Sequence, residues 1–240
     1  RPPDFGMALD VAAIAFGDFE NGVLLCLDDL QLVDAEARLQ SFLLKLVPLP
    51  QINLLMTARR FPSFLSSDHK VQLEGLSIED TTDLLTQRQV NLEPVLIEQL
   101  THLTGGNGEF LTLASMILKN CHNPEEIIGQ LAREDDIERF LMEEVNDRLE
   151  AGEQRLMEAV AILAGYPGDR DVLESMLNIR NVRRSLRELV DQYLLLVGED
   201  EHGERVYYQH AIVQAFYYEQ PRKSKRKEMH GRAADYYEFE

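Results

Sequence analysis

Two hydrophobic rhythms run along the chain, and they change over at Gly75. The first is the rhythm of strands and connecting helices. Gly22-Val23-Leu24-Leu25-Cys26-Leu27-Asp28-Asp29 holds five apolar residues in a row and ends in two adjacent carboxylates. A short apolar run without alternation predicts a strand buried on both faces, as in a parallel α/β sheet. Before it, Phe5, Leu9, Ala12, Ala13 and Phe16 predict a weak helix over residues 4–19, and 17–22 a turn. After it, Leu39, Phe42, Leu43 and Leu46 recur at spacings of three and four and predict an amphipathic helix over 34–47, stopped by Pro48 and Pro50. Ile52 to Met56 is a second strand-like run, followed by Thr57-Ala58-Arg59-Arg60, and a third strand is predicted over 70–73. Strand, helix, strand, loop, strand is the order of a parallel sheet.

From Ser77 to about Arg148 the pattern predicts only helices. Ser77 caps the first, with Asp80 three residues on. A second spans about 93–103 and stops at Gly105-Gly106, and a third spans about 109–119. Asn123-Pro124 opens a fourth, with asparagine as cap and proline in the first turn. A fifth carries Ile137, Phe140, Leu141 and Val145. Gly152 begins a last section, with helices at about 153–164, 169–177 and 181–191. Two β-rich stretches follow, 193–197 and 205–209, on either side of the polar segment 198–204, which reads as a hairpin loop. Three helices followed by a hairpin is the order of a winged helix. A helix resumes at about Ala211. The tail from Arg222 to Glu240 reads as helical, basic at its start and aromatic at its end. The fold class expected is therefore α/β followed by all-α.

Composition narrows this picture. Apolar residues make up 45% of the 240, enough for a packed core, and no apolar run reaches the length of a membrane span. The 24 basic and 42 acidic side chains leave a net charge of −18, which repels phosphate backbones except where basic residues gather. They gather at Arg222, Lys223, Lys225, Arg226 and Lys227, read as a solvated helix start, and at Arg180, Arg183, Arg184 and Arg187. Two cysteines form no disulfide framework, and Cys26 is expected as a buried reduced thiol. A cytoplasmic location follows. The histidines show no zinc-ligand spacing with cysteine. Arg1-Pro2-Pro3 lacks an initiator methionine, so a fragment or a processed chain is expected.

In open α/β sheets, ligands bind beyond the carboxyl ends of the strands. Asp28 and Asp29 stand at one such end, Thr57 and Arg59 at the next. Two carboxylates suit magnesium-dependent phosphate chemistry, in which one holds a metal-bound water and the other polarises the attacking water. Arg59 has the planar fork that meets a terminal phosphate. The competing reading is an acidic turn whose aspartate caps the next helix.

Set in order, these marks resemble the signal-transducing NTPases with an NB-ARC-type module, the STAND class of P-loop ATPases. Leu24 to Asp29 resembles the Walker B motif, and Leu54-Leu55-Met56-Thr57-Ala58-Arg59 the sensor strand. Leu73-Glu74-Gly75-Leu76-Ser77 with Leu84-Leu85 resembles the start of the helical lid. Gly105-Gly106-Asn107-Gly108 with Leu111 and Leu113 resembles the lid's Gly-Asn-Pro-Leu segment. Leu186 to Leu196 and then Tyr207-Tyr208-Gln209-His210 resemble the winged helix and its histidine. The resemblance covers residues 20–220. It implies part of a P-loop α/β domain over 1–75, a helical lid over 76–150, a winged helix over 151–220, and a linker or the start of tetratricopeptide-like repeats over 221–240. It implies a switch, closed with ADP and open with ATP, that binds Mg2+ and oligomerises. Effector and sensor domains would be fused outside these residues. Asp28 would orient magnesium, Asp29 polarise water and Arg59 sense the γ-phosphate, with Thr57 part of the nucleotide site beside them. Asn107 and Gly108 would lie by the base, and His210 would hold the closed state.

Three departures accompany the resemblance. No Gly-x-x-x-x-Gly-Lys-Ser/Thr phosphate loop occurs in these residues, so the loop is expected upstream and the ATPase inactive without it. Gly108 stands where relatives have a proline against adenine, and Ala211 where an acid follows the histidine. Two other functions fit parts of the sequence. Arg180, Arg183, Arg184 and Arg187 suit a winged-helix DNA-binding regulator, but Glu188, Asp191 and Glu199-Asp200-Glu201 oppose phosphate contact. The other is a protein-interaction scaffold without hydrolysis. Plainer readings stand beside the sites as well. Asn107-Gly108 serves equally as a helix end and turn, and His210 as a structural histidine. Tyr207, Tyr208, Phe216, Tyr217 and Tyr218 read as core.

Overall fold

The computed structural model describes residues 5–17, 22–32, 36–66, 70–119, 121–163, 166, 168–200 and 202–239. The chain divides into two compact units, Arg1–Leu73 and Glu74–Glu240.

In the first unit, helix α1 (Phe5–Gly17) precedes strand β1 (Val23–Leu27), a 3-10 turn at Leu30–Leu32, helix α2 (Ala37–Leu46) and strand β2 (Ile52–Met56). The strands pair in parallel, with Val23 opposite Ile52 and Leu27 opposite Met56. Helix α2 starts at Glu36, whose carboxylate accepts from the Arg38 N–H; the expected start at Asp34 lies outside the described residues. Lys45 of α2 pairs with Asp10 of α1. Leu30, Leu43, Leu46 and Ile52 are buried.

Two expectations are corrected here. Strand β1 is not buried on both faces. Val23, Leu25 and Leu27 are half-buried, whereas Leu24 is 63% exposed and Cys26 is an exposed thiol. Successive side chains alternate between faces, so a single covered face protects every second residue only. The segment 70–73 is not a strand. Val71 and Leu73 are 82% and 89% exposed, and the parallel sheet has β1 and β2 alone among the described residues. Four residues supply no ladder of their own; a strand needs a neighbour to take its N–H and C=O groups.

The second unit is helical with one hairpin. Its helices are α3 (Ile78–Gln87), α4 (Pro94–Thr104), α5 (Gly108–Leu118), α6 (Pro124–Leu131), α7 (Ile137–Asn146), α8 (Ala151–Ile162), α9 (Arg170–Leu177) and α10 (Arg183–Asp191). Strands β3 (Leu196–Glu199) and β4 (Arg205–Tyr208) follow, then α11 (Ala211–Glu219) and α12 (Lys223–Phe239). Residue Ala164, expected in α8, and Glu201, expected in the hairpin loop, lie outside the described residues. Local chemistry sets the helix ends. Ser77 and Asp80 cap α3 reciprocally, the Asp80 N–H donating to Ser77 Oγ at 3.1 Å and the Ser77 N–H to Asp80 Oδ2 at 3.2 Å. The Ser77 hydroxyl, donating to Asp80 Oδ2 at 2.6 Å, and then the Ser77 N–H hold the Asp80 carboxyl below its ordinary value. Asn123 caps α6, with Pro124 in its first turn.

The hairpin is antiparallel, with Leu196 opposite Tyr208. Its first strand begins at Leu196 rather than at the expected Tyr193. Tyr193 takes a left-handed conformation (φ 64°), and the N–H groups of Leu194 and Leu195 both reach back to the Leu189 carbonyl to close α10. The second strand ends at Tyr208. Gln209 turns inward, and its Nε2 donates to the Met157 carbonyl of α8 at 3.0 Å. Tyr217 is fully buried, Tyr207, Phe216 and Tyr218 pack against the core, and Tyr208 faces out.

One core runs through the whole unit, from Leu85 and Leu111 through Met157 and Leu189 to Met229 and Ala233. Helix α12 is part of it, packed on α8 and α9, with Arg232 Nη1 donating to the Met176 carbonyl at 2.9 Å. The basic start of α12 is not wholly solvated: Lys225 pairs with Glu158 at 2.5 Å, and the Arg226 guanidinium lies over the Tyr218 ring.

The chain leading into α3 lies directly on the loop after α4. The Leu76 N–H donates to the Gly106 carbonyl at 2.8 Å. A Cβ at Gly75 would stand 2.0 Å from the Gly105 carbonyl oxygen, and one at Gly106 (φ 68°) 2.5 Å from the Leu76 oxygen. Only glycine permits this approach. Gly75→Ala and Gly106→Ala should each destabilise the second unit by roughly 2–3 kcal/mol in urea unfolding, as backbone overpacking does. Gly108→Ala, whose Cβ would meet nothing within 4 Å, is the control and should stay near zero.

Candidate functional site

The parallel register brings the ends of β1 and β2 together, so Asp28 and Thr57 become neighbours. Thr57 then makes four bonds to the other strand's exit. Its N–H donates to the Leu27 carbonyl at 2.9 Å, and its carbonyl accepts from the Leu30 N–H at 2.9 Å. Its hydroxyl donates to Asp28 Oδ1 and accepts from the Asp29 N–H, the latter at 3.0 Å. Asp29 is left-handed (φ 51°), a conformation aspartate tolerates, and its N–H also approaches Asp28 Oδ1 at 3.1 Å. Gln31 completes the cluster. Its Nε2 donates to Asp29 Oδ1 at 2.7 Å, and its Oε1 accepts from the Arg59 N–H at 2.9 Å. Asp28, Asp29, Thr57 and Arg59 are thus brought together within the first unit, all exposed.

The donor set suits magnesium only in part. Asp28 Oδ1 is engaged by Thr57 and by the Asp29 N–H, whereas Oδ2 makes no hydrogen bond among the described residues. Three or more His, Cys, Asp or Glu side chains able to enclose a metal ion do not occur among them. One free carboxylate oxygen fits a magnesium that keeps water and phosphate oxygens as its other ligands, as this ion commonly does. It does not fit an ion held by protein alone.

Asn107, Gly108 and His210 lie in the second unit. Asn107 is the N-cap of α5; its Oδ1 accepts from the Glu109 and Phe110 N–H groups at 2.9 and 3.2 Å, and Gly108 is the first helical residue. The side-chain oxygen of Asn107 is therefore already engaged. His210 is the N-cap of α11 without a side-chain capping bond; its Nε2 lies 3.6 Å from Glu109 Oε2. His210 is half-exposed, but the Glu109 side chain retains only 16% of its accessible surface, and its Oε1 is buried with no hydrogen-bond partner. Burial pushes the Glu109 carboxyl above its ordinary value, against the pull of His210 and Arg88. Arg88, itself shifted downward by burial, donates from Nη2 to Thr112 Oγ1 at 3.1 Å and stacks 4.0 Å from the Tyr193 ring centre.

Gln31, Arg88 and Glu109 are the participants that sequence reasoning missed. Gln31 had a faint signal, standing just past the acid pair. Arg88, at the end of α3, reaches Thr112 of α5, and Glu109 faces His210 at the start of α11, which no local spacing announces.

Among the described residues no helix is long and apolar enough to cross a membrane. No protein-family model and no curated protein matches the sequence. One similar solved structure is the crystal structure of a Signal Transduction ATPase with Numerous Domains (STAND) protein with a tetratricopeptide repeat sensor, from Pyrococcus horikoshii. The match covers 97% of this chain at a TM-score of 0.69 and 21% identity. The chain spans 33% of that protein's length. The likeness is one of fold: the chain has a STAND-like architecture, mostly helical with a small parallel sheet.

Thr57→Val keeps the shape of the side chain and removes both hydroxyl bonds. It should cost about 1 kcal/mol locally, read as a roughly fivefold loss of hydrogen-exchange protection at the Asp29 amide. Glu109→Gln tests the buried carboxylate. Its raised value means that folding favours the protonated form, so the native state binds more protons than the unfolded chain above the ordinary glutamate range. Glu109 thus lowers stability as pH rises through that window. Glu109→Gln should raise the unfolding midpoint at neutral pH, with the gain shrinking as pH falls to the ordinary glutamate range.

Proposed function

We propose that this chain is the nucleotide-gated switch region of a STAND signalling ATPase, running from the Walker B strand through the helical lid and winged helix. The observation that carries this reading is the Asp28–Thr57 junction. An acid at the end of one parallel strand is held by the threonine hydroxyl at the end of the next, on a fold like that of a known STAND ATPase. Asp28 would orient Mg2+ through its free oxygen, and Asp29 would polarise the attacking water. Arg59, exposed and in an ion pair with no described residue, would read the γ-phosphate. Asn107 and Gly108 would offer backbone to the base, since the Asn107 oxygen caps α5. His210 would hold the ADP-bound state. The glycine-rich phosphate cradle is not among these 240 residues, so the reading assigns it, together with effector and sensor domains, to sequence outside them. ATP in place of ADP would shift the region between two packings and expose an oligomerisation surface. A cytoplasmic location accords with this role. The lid would be α3–α7, and the winged helix α8–α10 with the β3–β4 hairpin.

Contact with a DNA backbone is the weaker reading. Arg184 is bonded to Glu188 at 2.8 Å, and Asp191, Glu199 and Asp200 lie on or near the same helix and hairpin.

The test uses a protein in which a phosphate cradle precedes Val23. There Asp28→Ala should slow ATP hydrolysis about 100-fold while ADP affinity, measured by calorimetry, stays within about threefold. His210→Ala should weaken ADP binding by about tenfold. Full hydrolysis in Asp28→Ala would remove the metal role assigned to that residue.

A further inference from the structure

The second unit carries a groove of about 1500 Å³ between the end of α8, the start of α9, the β3–β4 loop, α11 and α12. That exceeds the few hundred to about 1,000 Å³ of most small-molecule sites. It matches about ten residues of helix, since a helix about 10–12 Å across rises 1.5 Å per residue. Ala215 and Ala234 form part of its floor, and both are exposed. Alanine there lets another backbone come close. Tyr166 and Tyr237 stand at the groove with ring centres 6.4 Å apart, and Tyr166 is 71% exposed. Exposed aromatic rings beside small residues mark a surface made to be covered.

Charge says by what. Asp169, Asp200 and Glu219 line the groove, and no lysine or arginine does among the described residues. His202 and His230 are its other titratable side chains apart from tyrosine. Asp169 Oδ1 accepts from the Val172 N–H at 2.7 Å as the cap of α9, and Asp200 Oδ1 accepts from the Glu204 N–H at 2.8 Å within the hairpin loop, so their charges are fixed at the rim. Within the chain's own basic segment at the start of α12, Lys225 is engaged with Glu158 and Arg226 with Tyr218.

We infer that this groove binds a cationic amphipathic helix of a partner protein. The partner's apolar ridge lies on the alanine floor. Its lysines or arginines meet the three carboxylates and the faces of Tyr166 and Tyr237. This site is separate from the nucleotide reading and needs neither ATP nor the phosphate cradle.

The test is fluorescence anisotropy on the full 240-residue chain, with a labelled helical peptide of Leu-Lys-Lys-Leu repeats, about three to four turns long. An equal-length Leu-Glu-Glu-Leu peptide is the control. The lysine peptide should bind and the glutamate peptide should not. Ala215→Trp and Ala234→Trp fill the groove and should each weaken binding about tenfold, with the helical circular dichroism unchanged. Glu219→Lys leaves the packing intact and should weaken it about fivefold. Glu134→Lys, an exposed acid away from the groove, should leave it unchanged. Equal losses from Glu134→Lys and Glu219→Lys would reduce the binding to net charge and overturn the proposal. So would lysine-peptide binding indifferent to both tryptophan variants. Self-association of the chain that the tryptophan variants abolish would give the groove to a second copy, and would overturn it equally.

Discussion

The junction of β1 and β2 depends on register. Side chains in a strand alternate faces, so a slip of one residue would turn Asp28 away from Thr57 and exchange Leu25 with Cys26 at the covered face. Thr57 fixes the register at the end where it matters. Its backbone ties the two strand exits, and its hydroxyl accepts from one residue and donates to another. Serine could make the same bonds with a freer χ1; the β-branch of threonine limits its rotamers and holds the hydroxyl in place. Valine would keep the stiffness and lose the bonds. Each such exposed bond contributes only about 0.5–1.5 kcal/mol, so the set is suited to aiming carboxylates more than to holding the unit together.

The second unit is held by other means. Its core is continuous across all ten helices described there, and the loops settle on it through close backbone contacts such as Gly75 with Gly105 and Gly106. Within that apolar frame Glu109 is the exception. It is carried by the first turn of α5, near the positive end of that helix, and shares the surroundings of Arg88 and His210. Its raised value shows that these partners do not fully offset the loss of water. The buried, unpartnered Oε1 is the structural counterpart of the same deficit.

Those features differ in how far they can be read from the sequence. Helix ends were legible because their chemistry is local: serine with aspartate three on at Ser77, asparagine before proline at Asn123, glycine after the last turn at Gly105. The strands β1 and β2 were legible as apolar runs, and Asp28 with Thr57 as residues at strand ends. The exposure of Cys26 was not, since a five-residue run says nothing of how many layers cover it. The strand expected at 70–73 failed for the same reason: pairing is a property of the neighbour. Gln31, Arg88 and Glu109 depend on a turn and on helix packing, and neither leaves a spacing to find.

A fold hosts many functions, so a likeness at 21% identity leaves the chemistry to the sites. In the proposed switch the two units answer different questions. Asp28 has one oxygen bound by protein and one free, so it can aid a cation but cannot hold it without phosphate; metal and nucleotide would have to arrive together. His210 faces a carboxylate that burial already disfavours as an anion. A phosphate competing for that histidine would leave Glu109 without it, and burial then favours the neutral acid, which costs little to keep inside. The pair could therefore exchange partners with a small free-energy difference, and a ligand can shift such an equilibrium only by its own difference in affinity for the two states. A weakly satisfied contact at His210 suits that role better than a strong one.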